Sequence, residues 1–416
     1  MRPGEAGSAL LMLLSLFLLL VGYYVLKTVR EPLVLVTGGA ELKSYAAAGQ
    51  AVALMAFVPL YSWLASRLDR LKLIVCLLLF FVACIEVFFV GGRMRVPMLG
   101  FVFYIWVGIF SLATIAQFWS YANDIYRKDV GDRLFPLIAI GQTAGAMVGS
   151  KVVEELFKAR VDPFWMMQIA AVLVLVHLGL YGLVNRRQTG VRSTQAAPPA
   201  MAGRSGFALV LESPYLKMIG ALLILLNAIN TLGEYVLGSF VKNASLGMAD
   251  PTSFIGEYMA NYFLWVNIAA LVLQAFVVSR LVKYAGIAGV VLALPVVAIG
   301  TYGLAAVGVT LAAMRWAKTA ENSVDYSVMN TAKQMLWLPT TREQKYKAKQ
   351  AIDTFFVRTG DLVAAGVVFL GVQVLSLSTR GVAITNLALI AVSLVIAWRL
   401  IAEHRRLSAE AAAAAA

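Results

Sequence analysis

Apolar residues along this chain come in long blocks separated by short polar stretches. The blocks fall at 8–29, 45–65, 73–91, 98–122, 134–156 and 164–184, and resume at 215–240, 257–279, 284–303, 305–331, 350–376 and 381–402. A helix needs about 20 apolar residues to cross a bilayer. In lipid, each segment has to satisfy its own backbone hydrogen bonds, which leaves helices as the spans. The pattern therefore predicts an all-α polytopic membrane protein with twelve transmembrane helices in two six-helix pseudo-repeats. The expected organisation is an N-terminal half at 1–184, a linker at 185–213, a C-terminal half at 214–406 and a low-complexity tail at 407–416. The linker carries Arg186, Arg187, Arg192 and Arg204 around Ala-Ala-Pro-Pro-Ala at 196–200, and reads as flexible, basic and cytoplasmic. The first apolar run exceeds a signal-peptide core and has no small-x-small site before Lys27, so it reads as a retained span.

Composition supports this reading. The 416 residues are 61% apolar and 14% charged, with mean hydropathy +0.80, whereas a soluble domain carries roughly 25% charged residues. A net charge of +13 in a soluble protein would suggest nucleic acid. Here no nucleic-acid partner is expected, because Lys and Arg gather in cytoplasmic loops. Arg67, Arg70 and Lys72, then Arg280 and Lys283, then Arg342, Lys345, Lys347 and Lys349 all fall on one side if both termini are cytoplasmic. Arg93, Arg95, Lys151, Lys158 and Arg160 fall on the other, so the bias is incomplete. The membrane expected is a bacterial inner membrane. Cys76 and Cys84 share one apolar block, and His177 and His404 lie far apart; neither pair makes a disulfide framework or metal site. With no phosphate loop, nucleophile elbow or metal cluster, no catalytic residue, metal or cofactor is expected, and the chain is not read as an enzyme.

Charges inside the apolar blocks are the candidate chemistry, since each costs roughly 2.5–3.5 kcal/mol near the bilayer centre on insertion scales. The tenth block carries Arg315, Lys318, Glu321 and Asp325, with Lys333 just beyond. On an uninterrupted helix all five fall within an arc of about 120°, as on a helix lining a polar cavity. The alternative is that the first four neutralise one another as i,i+3 and i,i+4 pairs; Lys333 has no obvious local partner and reads as a ligand residue. The first block ends in Tyr23, Lys27, Arg30 and Glu31 before Pro32. That reads as a basic clamp beside a helix broken at proline, or as side chains snorkelling to headgroups. In the seventh block Asn227, Asn230, Thr231 and Glu234 share an arc of about 100°, suited either to a sugar or base or to interhelical hydrogen bonds. Glu86 stands alone in an apolar run and reads as a buried proton site or a salt-bridged structural carboxylate. Gly141, Gly145 and Gly149 form a small-residue ridge for close helix packing. Asn123 and Asp124, at the end of the fourth block, are gate candidates.

The two halves echo one another. Ser66-Arg67-Leu68 after the second block recurs 213 positions later as Ser279-Arg280-Leu281, and Gly145 recurs 215 positions later as Gly360. This is the arrangement of the major facilitator superfamily, whose substrate site lies near the midplane. The segment Leu64–Leu73 (LASRLDRLKL) loosely resembles that superfamily's basic loop.

More specific segments resemble the bacterial and plastid ATP/ADP translocases. Leu26-Lys27-Thr28-Val29-Arg30-Glu31-Pro32-Leu33-Val34 is similar to that family's first-helix motif, with Arg30 and Glu31 at its Lys-Asp positions. Phe118-Trp119-Ser120-Tyr121-Ala122-Asn123-Asp124 and Arg133-Leu134-Phe135-Pro136-Leu137 resemble its Phe-Trp-Gly-Phe-Ala-Asn and Arg-Phe-Tyr-Pro-Leu segments. Glu234 matches its seventh-helix glutamate, and Asp325-Tyr326-Ser327, Lys333-Gln334-Met335 and Leu338-Pro339 resemble its tenth-helix pattern. The resemblance implies nucleotide exchange by alternating access. An anionic small molecule, a nucleotide, is then the partner besides the lipid bilayer, and Lys27, Arg30, Asn230, Glu234, Asp325 and Lys333 are the substrate-binding set. Glu86, Asn123, Asp124, Arg315, Lys318 and Glu321 remain gating or proton-coupling candidates. Arginine for lysine at 30 and proline for threonine at 32 change the geometry of the site, and Gln334 stands where the family has glutamate. The other readings are a proton-coupled transporter of another organic anion or drug, and a non-transporting membrane scaffold.

Overall fold

The structure is a computed structural model that describes residues 6–126, 128–188 and 205–415. Among these, eight helical runs are long and apolar enough to cross a membrane. Two of the runs, Gly7–Ala65 and Pro251–Val307, have 59 and 57 residues. At 1.5 Å per residue an unbroken helix of that size would be about 85–90 Å long, nearly three times a hydrocarbon core of about 30 Å.

Glycines divide both. Helix α1 (Ala6–Ala65) is interrupted at Gly38 (φ −143°, ψ 18°) and Gly39 (φ 66°, ψ −163°). Gly39 adopts a conformation that is essentially restricted to glycine. The break expected at Pro32 is absent: the backbone stays helical there, because proline removes a single N–H donor and tilts the axis without reversing it. The second long run comprises α8 (Pro251–Val272), a π-helical turn (Leu273–Val277) and α9 (Val278–Val307), and is interrupted at Gly286 (φ 59°, ψ −152°).

Between these runs lie α2 (Arg70–Arg93), α3 (Leu99–Ile125), α4 (Lys128–Lys158), α5 (Pro163–Gln188), α6 (Gly206–Glu212) and α7 (Pro214–Ser245). Part of the linker expected at 185–213 is therefore helical. Asn185–Gln188 continues α5, and Ser205 caps α6 by accepting from Ala208 N at 3.2 Å. Residues 189–204, with Arg192, Arg204 and the 196–200 segment, lie outside the described residues. After α9, Gly308 (φ 85°) ends the helix and Thr310 caps α10 (Leu311–Val324) by accepting from Ala313 N at 3.3 Å. The apolar block at 305–331 thus holds the end of one helix and the start of the next. A π-turn (Asp325–Met329) leads into α11 (Asn330–Met335). Further π-turns at Gln344–Ala348, Ile352–Phe356 and Phe369–Val374 alternate with α12 (Lys349–Ala351) and α13 (Val357–Val368). The last helix, α14 (Thr379–Ala415), carries the Ala-rich tail.

The chain forms two compact units. The first comprises Met1–Thr37, Ala56–Pro199 and Ser245–Asn267; the second comprises Gly38–Met55, Ala200–Ala244 and Ile268–Ala416. In the first, Phe81, Trp106 and Phe110 pack with ring centroids 5.2–5.8 Å apart. A Cβ added at Gly145 of α4 would stand 2.5 Å from the Phe17 carbonyl oxygen of α1, so the predicted glycine ridge is a helix–helix seam. In the second, a Cβ on Gly360 of α13 would stand 2.5 Å from the Ile224 carbonyl oxygen of α7. The two glycines paired by the sequence echo thus make the same kind of close approach, each in its own unit.

Candidate functional site

Within the second unit, α1, α7, α9, α10 and α14 bring together a cluster of buried polar groups. Lys318 of α10 is fully buried. Its Nζ donates to Asn230 Oδ1 at 2.9 Å and to the Tyr302 hydroxyl at 3.2 Å, and lies 3.1 Å from Glu321 Oε1 and 4.0 Å from Glu234 Oε1. Tyr302 donates to Glu321 Oε1 at 2.7 Å. Lys43 of α1, 2% exposed, donates to Glu234 Oε2 at 3.1 Å, and Asn322 Nδ2 donates to Glu234 Oε1 at 3.1 Å. Asn386 of α14 donates to the Ile229 carbonyl at 3.1 Å beneath the cluster.

Two lysines face two glutamates, so the formal charge is zero. That balance lets the cluster stay buried, since an isolated ion in apolar surroundings costs several kcal/mol while a paired one recovers much of it. Gly233 makes room: a Cβ there would lie 2.7 Å from Lys318 Nζ and would overlap the Tyr302 hydroxyl. Glu234 keeps 22% of its side chain exposed, the most of the four charged members. A carboxylate flanked by Asn230 and Asn322 offers acceptors for hydroxyl and amino groups.

The same face of α7 serves a second cluster. Asn227 and Thr231 donate to Asp361 Oδ1 at 2.8 and 2.7 Å, and Arg358 Nη1 lies 3.5 Å from Asp361 Oδ2. The four polar residues read as one stripe on α7 therefore divide into two pairs with different partners.

In the first unit the basic set sits against aromatic rings. Lys27, 8% exposed, places Nζ 4.3 Å from the Phe263 ring centroid and 4.9 Å from that of Tyr24. Arg30 lies 4.1 Å over Tyr104 and donates to Glu31 Oε1 at 3.2 Å. Tyr24 donates to Asn267 Oδ1 at 3.0 Å. Burial of Lys27 favours the clamp over snorkelling to headgroups. A planar guanidinium on a ring face suits phosphate binding, and the rings around it suit a base.

Three expectations change. The five charges of the tenth block do not lie on an uninterrupted helix: the π-turn at Asp325–Met329 sets Lys333 back by about one residue, roughly 100°, which brings it beside Asp325. Lys318 and Glu321 form the expected i,i+3 pair, whereas Asp325 pairs with Lys333 at 3.6 Å, so Lys333 does have a local partner. Arg315 stands 5.3 Å from the Trp316 ring. Glu86 is exposed and accepts from Gln168 Nε2 at 3.0 Å. Its neighbour Val87 is 68% exposed, so this is an outer face of α2 and the buried reading fails. Asn123 and Asp124 are exposed, with Asn123 Nδ2 donating to the Trp119 carbonyl at 2.9 Å. Sequence reasoning missed Lys43, Tyr302, Asn322 and Asn386 as members of the cluster. Lys43 lies in a polar gap between blocks, and Tyr302 inside an apolar one, where neither stands out.

Solved structures share this architecture. The nucleoside transporter NupG aligns with TM-score 0.73 over 95% of this chain and 98% of its own, at 14% identity. A bacterial homolog of the lysosomal transporter Spinster aligns with TM-score 0.64 over 98% of each chain, also at 14% identity. At such identities the likeness is one of fold, that of major-facilitator-type transporters. Curated relatives include ADP,ATP carrier protein 1 of Chlamydia pneumoniae, 23% identical over 287 residues, and that of Chlamydia trachomatis serovar D, 22% identical over 284. Each match covers 59% of this chain and 55% or 53% of the relative, so the chain spans about half the length of the curated relatives it matches. The TLC ATP/ADP transporter model matches residues 100–305 and 298–409, and the chain, an integral multi-pass membrane protein, belongs to that family.

Proposed function

We propose that this chain exchanges nucleotides of the ATP/ADP type across a membrane by alternating access, with no catalytic step. The observation that carries the reading is buried charge within membrane-length helices: a neutral Lys–Glu cluster in one unit and a basic, aromatic-lined set in the other. A scaffold gains nothing from such groups in lipid, and an anion carrier needs both cations and a means of keeping an empty site neutral. In this reading Lys27, Arg30 and Lys333 compensate phosphate charge. Glu234, Asn230 and Asp325 orient the substrate or balance the empty site. Lys318 and Glu321 hold Glu234 in place, while Arg315, Asn123 and Asp124 belong to gates.

The same reading takes the chain as a major-facilitator-type protein with twelve crossings in two halves, 1–184 and 214–406. Support comes from the two long runs, each divided by glycine into two crossings, and from α4 and α10–α11, which are long enough but too polar to be counted among the eight. The loop charges support cytoplasmic termini in this reading, and the membrane proposed is a bacterial inner membrane.

Counterflow tests the reading. Proteoliposomes preloaded with unlabelled nucleotide take up labelled ATP or ADP, empty vesicles do not, and the Lys333→Ala variant inserts without exchanging. Uptake that follows an imposed pH gradient and ignores internal nucleotide would establish the proton-coupled alternative instead.

A further inference from the structure

Lys43 is the member of the neutral cluster that comes from α1, whereas Glu234, Tyr302, Lys318 and Glu321 lie on α7, α9 and α10. It lies just after the glycine break in α1, on a segment, Gly38–Met55, that belongs to the second unit. The same segment makes a further polar contact with that unit, from Gln373 to the Glu41 carboxylate. Among the described residues, the titratable groups facing Glu234 are Lys43 from α1, Tyr302 from α9, and Lys318 and Glu321 from α10. Of the two lysines, Lys318 is committed: it lies 3.1 Å from Glu321 and 4.0 Å from Glu234. Lys43 is the cation that lies 3.1 Å from the Glu234 carboxylate. Without it, Lys318, Glu234 and Glu321 carry one uncompensated negative charge in a place where an unpaired ion is strongly disfavoured.

We infer that Lys43 is a positioning residue that occupies, as a tethered amine, the place of a small monovalent coupling cation at Glu234. This rests on the reading of the chain as a transporter. The consequence is that exchange by the native chain needs neither a proton nor a sodium ion. Loss of the amine opens a site of net charge −1 that fills from solution, and a proton and a sodium ion are alternative sources of the same positive charge. Lys43→Arg keeps the charge and keeps the native behaviour.

The experiment is a thermodynamic cycle joined to a flux assay on the full chain. Purified wild type, Lys43→Met, Glu234→Gln and the double variant are melted in one detergent, in sodium and in choline buffers, at mildly acidic and at mildly alkaline pH. Each single variant leaves the cluster with an unbalanced charge and melts lower than wild type. The double variant leaves only the neutral Lys318–Glu321 pair and recovers much of the loss. The melting temperature of Lys43→Met alone rises with proton or with sodium concentration, and which of the two acts identifies the cation. In proteoliposomes, exchange by Lys43→Met then acquires that same dependence, about tenfold per tenfold change in ion concentration while the site is unfilled. Additive losses in the double variant, or a Lys43→Met protein as indifferent to both ions as wild type, overturn the inference. If Lys43→Met does not fold, Lys43→Gln and the charge-keeping Lys43→Arg carry the comparison. Absence of nucleotide counterflow in wild type, with the melting cycle intact, counts against the nucleotide reading and leaves the role of Lys43 standing.

Discussion

Gly360→Ala isolates how much the close helix approach contributes. An alanine Cβ at this position of α13 would lie 2.5 Å from Ile224 O, 2.8 Å from Asn227 Cβ and 2.9 Å from Ala228 N, all on α7. Ordinary carbon contacts begin near 3.4 Å, so α13 has to retreat by about an ångström, an overpacking cost of about 1–3 kcal/mol. The next residue is Asp361, whose bonds to Asn227 and Thr231 are 2.8 and 2.7 Å long. The same displacement stretches both past bonding range, and because both run to a carboxylate each adds about 1.5–3 kcal/mol. The expected total is about 4–9 kcal/mol. Gly366→Ala is the control in the same helix, since its Cβ meets nothing within 4 Å and replacing a helical glycine gains roughly 0.5–1 kcal/mol. Thermal unfolding of the purified protein in a single detergent reads the difference, and Gly360→Ala should melt several degrees below both wild type and Gly366→Ala. Equal melting temperatures for the two alanine variants would refute the seam as a rigid contact.

Removing the Tyr302 hydroxyl (Tyr302→Phe) costs about 1.5–3 kcal/mol, because its partner at 2.7 Å is a buried carboxylate; urea or thermal unfolding checks the value. Lys318→Met costs more, about 3–5 kcal/mol, because it leaves two glutamates facing Lys43 alone, and low expression rescued by adding Glu321→Gln would confirm the cause. Lys333→Ala breaks a partly exposed 3.6 Å pair and changes stability by less than about 1 kcal/mol, so its loss of exchange should appear at an unchanged melting temperature. Gly39→Ala and Gly286→Ala force a side chain into backbone conformations kept for glycine and each destabilises by about 1–3 kcal/mol, whereas Gly303→Ala, with open space around it, does not.

Much of the fold was legible because the physics is one-dimensional: block length against bilayer thickness predicts helices, although the breaks in the two longest runs fall at glycines and not at the expected Pro32. Repeat signals as small as one glycine pair found the same seam in both units. The candidate site was half legible. Buried charges announce themselves by their cost, which led to Lys27, Glu234, Lys318 and Glu321. Two physical facts hid the rest. Lys43 reaches Glu234 across 191 positions from a polar stretch, where a lysine is unremarkable. A helical wheel assumes a constant angle per residue, and the π-turn at 325–329 breaks that assumption without any mark in composition. Glu86 shows the converse error, since an apolar neighbourhood in sequence does not distinguish a core from a face turned to lipid.

The π-turns carry a consequence for how this chain is to be compared with others. Each holds one residue more than an α-helix of the same rise requires, so a single-codon deletion inside Asp325–Met329 would straighten the helix and swing Lys333 about a quarter of the way round it. No side chain need be exchanged for the basic residue to leave its place. An alignment drawn through this segment without a gap to a chain lacking the extra residue would pair residues that point in different directions, and such a chain could keep the lysine letter without the equivalent of Lys333.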